Sequence, residues 1–126
     1  MPAWNQPITL LMRCIFCVVL ASIVVAAFYP NLRLPEPIVT RGFTDKIYHV
    51  LGFLILVWLA GTAWRWTYKQ TIVLLVFAVA LELSQLLTEG RVVDRADMMA
   101  NVIGVALGLM LLWMMAAWRG RSARYS

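Results

Sequence analysis

An all-α bundle of four transmembrane helices is the fold this sequence predicts, on three observations. The first is composition. Of 126 residues, 63% are hydrophobic and 13% charged, against about 45–50% and about 25% in ordinary soluble domains. The second is distribution. Residues 14–32, 47–64 and 98–118 contain no Asp, Glu, Lys or Arg, and the shorter run 70–81 continues past Glu82 to Leu87. The third is length, since a bilayer core about 30 Å thick takes roughly 17–25 helical residues. Only helices and closed barrels satisfy their backbone in lipid, and these runs lack the alternation of barrel strands. Too little chain remains for a separate soluble domain. Residues 1–126 therefore read as one membrane domain. A soluble enzyme, a secreted disulfide scaffold and a disordered regulator are excluded.

The first helix is expected at about 12–30. Its Cys14-Ile15-Phe16-Cys17 reads as small apolar filler before it reads as a redox or metal pair. A cleaved signal peptide, with Arg13 as charged region and Ala26-Ala27 near the cut, is the alternative. The run is longer than a usual signal core, and Phe28-Tyr29-Pro30 looks like an aromatic interface edge. Pro35 and Pro37 keep the next connection extended. The second helix is expected at about 46–64 and the third at about 70–88. The very short link at 65–69 makes these two antiparallel neighbours. Gly90 marks a turn, and the fourth helix follows at about 96–118.

The net charge of +5 does not point to nucleic acid, because the basic residues sit at segment ends, as membrane flanks do. With both termini cytoplasmic, the inner side carries Arg13, Arg65, Lys69, Arg119, Arg121 and Arg124. The outer side then carries Arg33, Arg41, Lys46, Arg91 and Arg95. The excess is small, but the arginines after Trp118 favour this orientation.

Whichever side is which, the start of helix two, the end of helix three and the start of helix four share one membrane face. Nearly every polar residue of chemical interest lies there: Asp45, Lys46, His49, Glu82, Gln85, Arg91, Asp94, Asp97 and Asn101. Asp45 and His49 are four apart and share a helix face. A carboxylate there can orient a general base, or simply satisfy an interfacial histidine near a helix start. Glu82 lies inside a membrane segment, where an ionisable group is costly and usually faces the bundle interior or a water cavity. Its candidate partners are Arg91, favoured for bidentate bonding, and Lys46. Asp94, Asp97, Asn101, Gly104 and Gly108 form one stripe on helix four, polar outside and small inside. With Ala100, the inner part reads as a close-packing face. Oxygen-rich groups suit a hard divalent cation, and Arg suits phosphate. The metal itself stays unknown at this level, and buried polar groups also pair merely to satisfy one another.

Glu82-x-x-Gln85, Gly90-Arg91-x-x-Asp94-x-x-Asp97 and Ala100-Asn101-x-x-Gly104-x-x-x-Gly108 resemble the signature of the VanZ-like family. Asp45-Lys46-x-x-His49-x-x-x-Phe53 is similar to that family's motif in its second helix. The resemblance covers about residues 44–110. It implies a small bacterial multipass protein of the cell envelope, in the inner membrane. The family takes its name from a protein of glycopeptide-resistance clusters, associated with teicoplanin resistance, and its resemblance fixes fold and compartment better than activity.

Three functions remain open. The chain binds a membrane lipid or a lipid-linked cell-wall or phosphate group without catalysis. Alternatively it is an enzyme that hydrolyses or transfers a group on a phosphorylated or glycosylated lipid. His49 would then be base or nucleophile, oriented by Asp45. Glu82, Asp94 and Asp97 would hold a cation or position water, and Lys46 and Arg91 would hold phosphate, with Gln85 and Asn101 adding polar contacts. As a transporter component, four helices are too few for most alternating-access folds, and a homo-oligomer would be needed.

Overall fold

The computed structural model describes residues 6–29, 41–64, 66, 68–87 and 94–122. Four helices follow one another: α1 (Gln6–Phe28), α2 (Arg41–Ala63), α3 (Tyr68–Ser84) and α4 (Arg95–Ser122). A 3-10 turn, Gln85–Leu87, extends α3. There is no strand among the described residues. All four helices are long and apolar enough to cross a membrane. The shortest candidate span, Tyr68–Leu87, has 20 residues, and about 1.5 Å per residue carries it across a core about 30 Å thick.

Each helix begins before the position expected from the charge-free runs. Charged residues near a span's edge continue the helix, their long stems covering apolar surface. Arg13 lies inside α1, Asp45 and Lys46 inside α2, and Arg119 inside α4. Pro7 is tolerated in the first turn of α1, where its missing N–H has no intrahelical partner to lose. The expected features at Arg33, Pro35, Pro37, Arg65, Gly90, Arg91 and Arg124 lie outside the described residues.

α2 and α4 are the central pair. Their contact is close because α4 offers glycine where α2 offers backbone. A Cβ on Gly104 would collide with the Val50 carbonyl oxygen and stand 3.0 Å from Phe53 Cβ. On Gly108 it would stand 2.6 Å from Val57 Cβ and 3.1 Å from the Leu54 carbonyl oxygen. Lipid tails are as apolar as the side chains, so helices associate in a bilayer through such packing and through polar contacts. α3 adds Leu74, Ala78 and Leu81 to a core centred on Phe53, Leu56, Val57 and Val105.

α1 is peripheral. None of its most hydrophobic window is buried, against 33% for α2 and 28% for each of the other two. Cys14 and Cys17 are free and exposed on it. At the membrane face opposite the polar residues, Arg13 ties α1 to the end of α2. Its Nε donates to the Ala63 carbonyl at 3.4 Å, and its guanidinium stands 5.3 Å from the Trp64 ring centre. Phe16 meets the same ring edge-on.

Candidate functional site

The site forms where the starts of α2 and α4 meet the end of α3. α4 begins at an N-cap. Asp94 Oδ1 accepts the Ala96 N–H at 2.8 Å, satisfying one of the donors that every helix start leaves unpaired. The other oxygen, Oδ2, faces Lys46 Nζ of α2 at 3.4 Å. Asp94 lies just before the α4 span. The Ala96 N–H first, and then the Lys46 ammonium, hold its carboxyl below the usual carboxylate range.

Glu82 is fully buried, and its carboxylate is matched on both oxygens. Oε1 accepts the backbone N–H of Asp94 at 3.2 Å. Oε2 accepts from Gln85 Nε2 at 3.3 Å. The 3-10 turn tightens the chain after Ser84 and leaves Gln85 only 5% exposed. Glu82 thus ties α3 to the start of α4. Its expected partner Arg91 lies outside the described residues.

His49 meets α4 across the central interface. Nδ1 stands 2.8 Å from Asn101 Oδ1, and Nε2 stands 3.6 Å from Asp97 Oδ2. Asp97 Oδ1 also faces Lys46 Nζ, at 3.5 Å. The spacing of Asp94, Asp97 and Asn101 puts all three on the face of α4 that meets α2, and Lys46 and His49 occupy the matching positions one turn apart. Asp45 stands one turn before His49 on α2, partly buried.

The His49 contacts constrain its proton. If Nδ1–H donates to Asn101 Oδ1, a neutral ring turns a bare Nε2 towards the Asp97 carboxylate. A protonated ring serves both neighbours. A turned Asn101 amide instead donates Nδ2–H to Nδ1, and Nε2–H then points to Asp97. Which partner donates in this bond therefore follows from the tautomer of the ring and the turn of the Asn101 amide.

Two buried atoms here have no hydrogen-bond partner among the described residues, Asp97 Oδ1 and Asn101 Nδ2. Asn101 is fully buried. The structure joins Lys46, His49, Glu82, Gln85, Asp94, Asp97 and Asn101 through this set of contacts. Among the described residues no group of three or more His, Cys, Asp or Glu side chains is placed to hold a metal ion. A divalent cation therefore has no ready cage of side chains among them.

Sequence reasoning missed two features. One is the capping role of Asp94, which an Asp directly before a predicted helix signals. The other is an apolar groove of about 420 Å³ beside the polar site, along the seam of α2 and α4. Its signal was the spacing of Phe43, Ile47 and Leu51 on α2 and of Met99 and Ile103 on α4.

A multipass helical membrane protein with a polar cluster at one end of the bundle is the class this architecture defines. The family model described as VanZ/LLP1 matches residues 8–116, and the chain belongs to that family. A search of curated proteins found no significant match. Nor did a search of solved structures.

Proposed function

We propose that this protein binds the polar head of a lipid, or a lipid-linked cell-wall or phosphate group, in the mouth between α2, α3 and α4. The mouth opens on the outer face of a bacterial inner membrane, with both termini cytoplasmic. One observation carries the reading: among the described residues the buried Asn101 Nδ2 has no hydrogen-bond partner, and Asp97 Oδ1 has only the Lys46 ammonium at 3.5 Å. A buried polar atom left unmatched costs about 1–3 kcal/mol, so a buried amide donor left this way suits an incoming acceptor. A phosphate or carbonyl oxygen accepts from Asn101 Nδ2. A hydroxyl or ammonium donates to Asp97 Oδ1. Lys46 supplies positive charge at the rim.

The test is retention of lipid by the purified protein in detergent, for the wild type against His49→Gln and Asn101→Leu. Loss of bound lipid in both folded variants supports the reading, and unchanged retention rejects it.

The second reading is an enzyme that hydrolyses or transfers a group on such a lipid. The position of His49 between Asn101 and Asp97 favours it, because a ring held at Nδ1 with a carboxylate 3.6 Å from Nε2 is oriented for proton transfer. Turnover of lipid phosphates, with and without divalent cation, separates the two readings when the wild type is compared with Asp97→Asn.

A further inference from the structure

We infer that the α2/α4 groove seats one acyl chain of a zwitterionic phospholipid whose head carries both a phosphate and a primary ammonium. The inference rests on the lipid-binding reading above and names the lipid's class.

The groove has apolar walls. Phe43, Ile47 and Leu51 of α2 face Met99 and Ile103 of α4, over a floor at Ala100. The five wall residues are exposed in the isolated chain, and in a bilayer that surface is lipid-facing. From residue 43 to 51 the groove runs about 12 Å along the helix axis. That is most of one leaflet's hydrocarbon, about half of a core about 30 Å thick. The volume lies in the range of small-molecule sites, about 300–1,000 Å³.

Charge selects the head. The stem of Lys46 lines the groove, and its ammonium faces Asp94 at 3.4 Å and Asp97 at 3.5 Å. Tight charge-assisted bonds are about 2.7–2.9 Å long, so both contacts of this bridge are long, and the same ammonium donates to the Gly42 carbonyl at 3.1 Å. Asp94 is half-exposed. A phosphate can join Lys46 while a primary ammonium joins Asp94, and both charges of the bridge keep a partner. A purely anionic head brings its phosphate to Lys46 but no ammonium to Asp94, which is then left without its cation. A quaternary ammonium has no N–H to donate to Asp94.

Native mass spectrometry of the detergent-solubilised full chain tests this. Phosphatidylethanolamine, phosphatidylglycerol and phosphatidylcholine of equal chain length are supplied together. The wild type should hold phosphatidylethanolamine about tenfold over the other two, the ratio set by one charge-assisted hydrogen bond. Ile103→Trp, which fills the groove from a lipid-facing position, should lose all three adducts. Leu51→Trp does the same from α2, so the outcome does not hang on one variant folding. Asp94→Asn should keep adducts and lose the preference. Equal binding of the three lipids by the wild type, or full retention in both tryptophan variants, overturns the inference. If His49→Gln loses lipid while the tryptophan variants keep it, the binding site stands and the groove falls. If no variant changes retention, both readings fall.

Discussion

His49 Nδ1 and Asn101 Oδ1 meet at 2.8 Å across the interface of α2 and α4, joining the two helices at the level where their polar and apolar surfaces change over. A single neutral hydrogen bond contributes about 0.5–1.5 kcal/mol, whereas stranding one buried partner costs about 1–3 kcal/mol. Asn101→Leu should therefore lower thermal stability in detergent by more than the bond alone accounts for. Asn101→Asp, which keeps an acceptor for His49, should recover part of the loss. Equal stability of Asn101→Leu and wild type would show that this contact does not hold the pair together.

Gly104 and Gly108 make the second prediction. Overpacking a close interface costs about 1–3 kcal/mol, so Gly104→Ala should destabilise the protein on that scale, and Gly104→Leu should prevent folding or function. Gly42 and Gly120 have nothing within 4 Å of an added Cβ. There alanine should be neutral, or stabilising by up to about 1 kcal/mol through helix propensity. A thermal melt of the alanine variants measures the contrast. Indistinguishable melts for Gly104→Ala and Gly42→Ala would contradict it.

Asp94 gives the third, and its sign follows from its lowered carboxyl range. The folded chain prefers the ionised form, so this contribution to stability is fully present above the ordinary value near 3.8. It is lost as pH falls through the lower native value. Amide exchange at the start of α4, corrected for its intrinsic pH dependence, should be flat from about pH 8 to 5 and rise only in stronger acid. Asp94→Asn keeps a capping acceptor and should lose the acid response. Asp94→Ala should lose the cap as well, at a cost of about 0.5–2 kcal/mol.

Glu82 gives the fourth. Glu82→Leu removes the acceptor of both the Asp94 N–H and Gln85 Nε2, and should destabilise strongly. Glu82→Gln keeps an acceptor and should weaken folding or function less. If Arg91 also bonds this carboxylate, as its place in the chain suggests, Arg91→Ala and Glu82→Gln will be non-additive. Purely additive effects in the double-mutant cycle would remove Arg91 from the site.

The four spans and the stripe on α4 could be read from the sequence because bilayer thickness and helical spacing act on residues one at a time. Asp97, Asn101, Gly104 and Gly108 recur every three or four residues, so their common face needed no knowledge of partners. Which atoms they meet did need it. Asp45 sits one turn from His49 and looked like its natural neighbour, yet the ring faces Asp97 and Asn101 from a helix about fifty residues later. Gln85 turns inward because α3 tightens into a 3-10 turn, a change of pitch that residue types alone do not announce. Arg13 read as a simple flank, while in the folded chain it spans to the end of α2.

The central pairing also sets an order of assembly. α2 finds its main partner in α4, the last of the four helices to be made, with α3 between them in the chain. Until Asp94 and the residues after it emerge, His49 has neither Asn101 nor Asp97, and Glu82 lacks the Asp94 N–H. A nascent chain that halts after α3 therefore leaves an imidazole and a carboxyl group in the bilayer without their α4 partners. Such a chain carries its own mark of incompleteness, readable by any membrane protease or insertion factor that senses polar groups in lipid. A product truncated before Asp94 should be degraded faster than the full chain, and replacing His49 and Glu82 with leucine in that fragment should prolong its life.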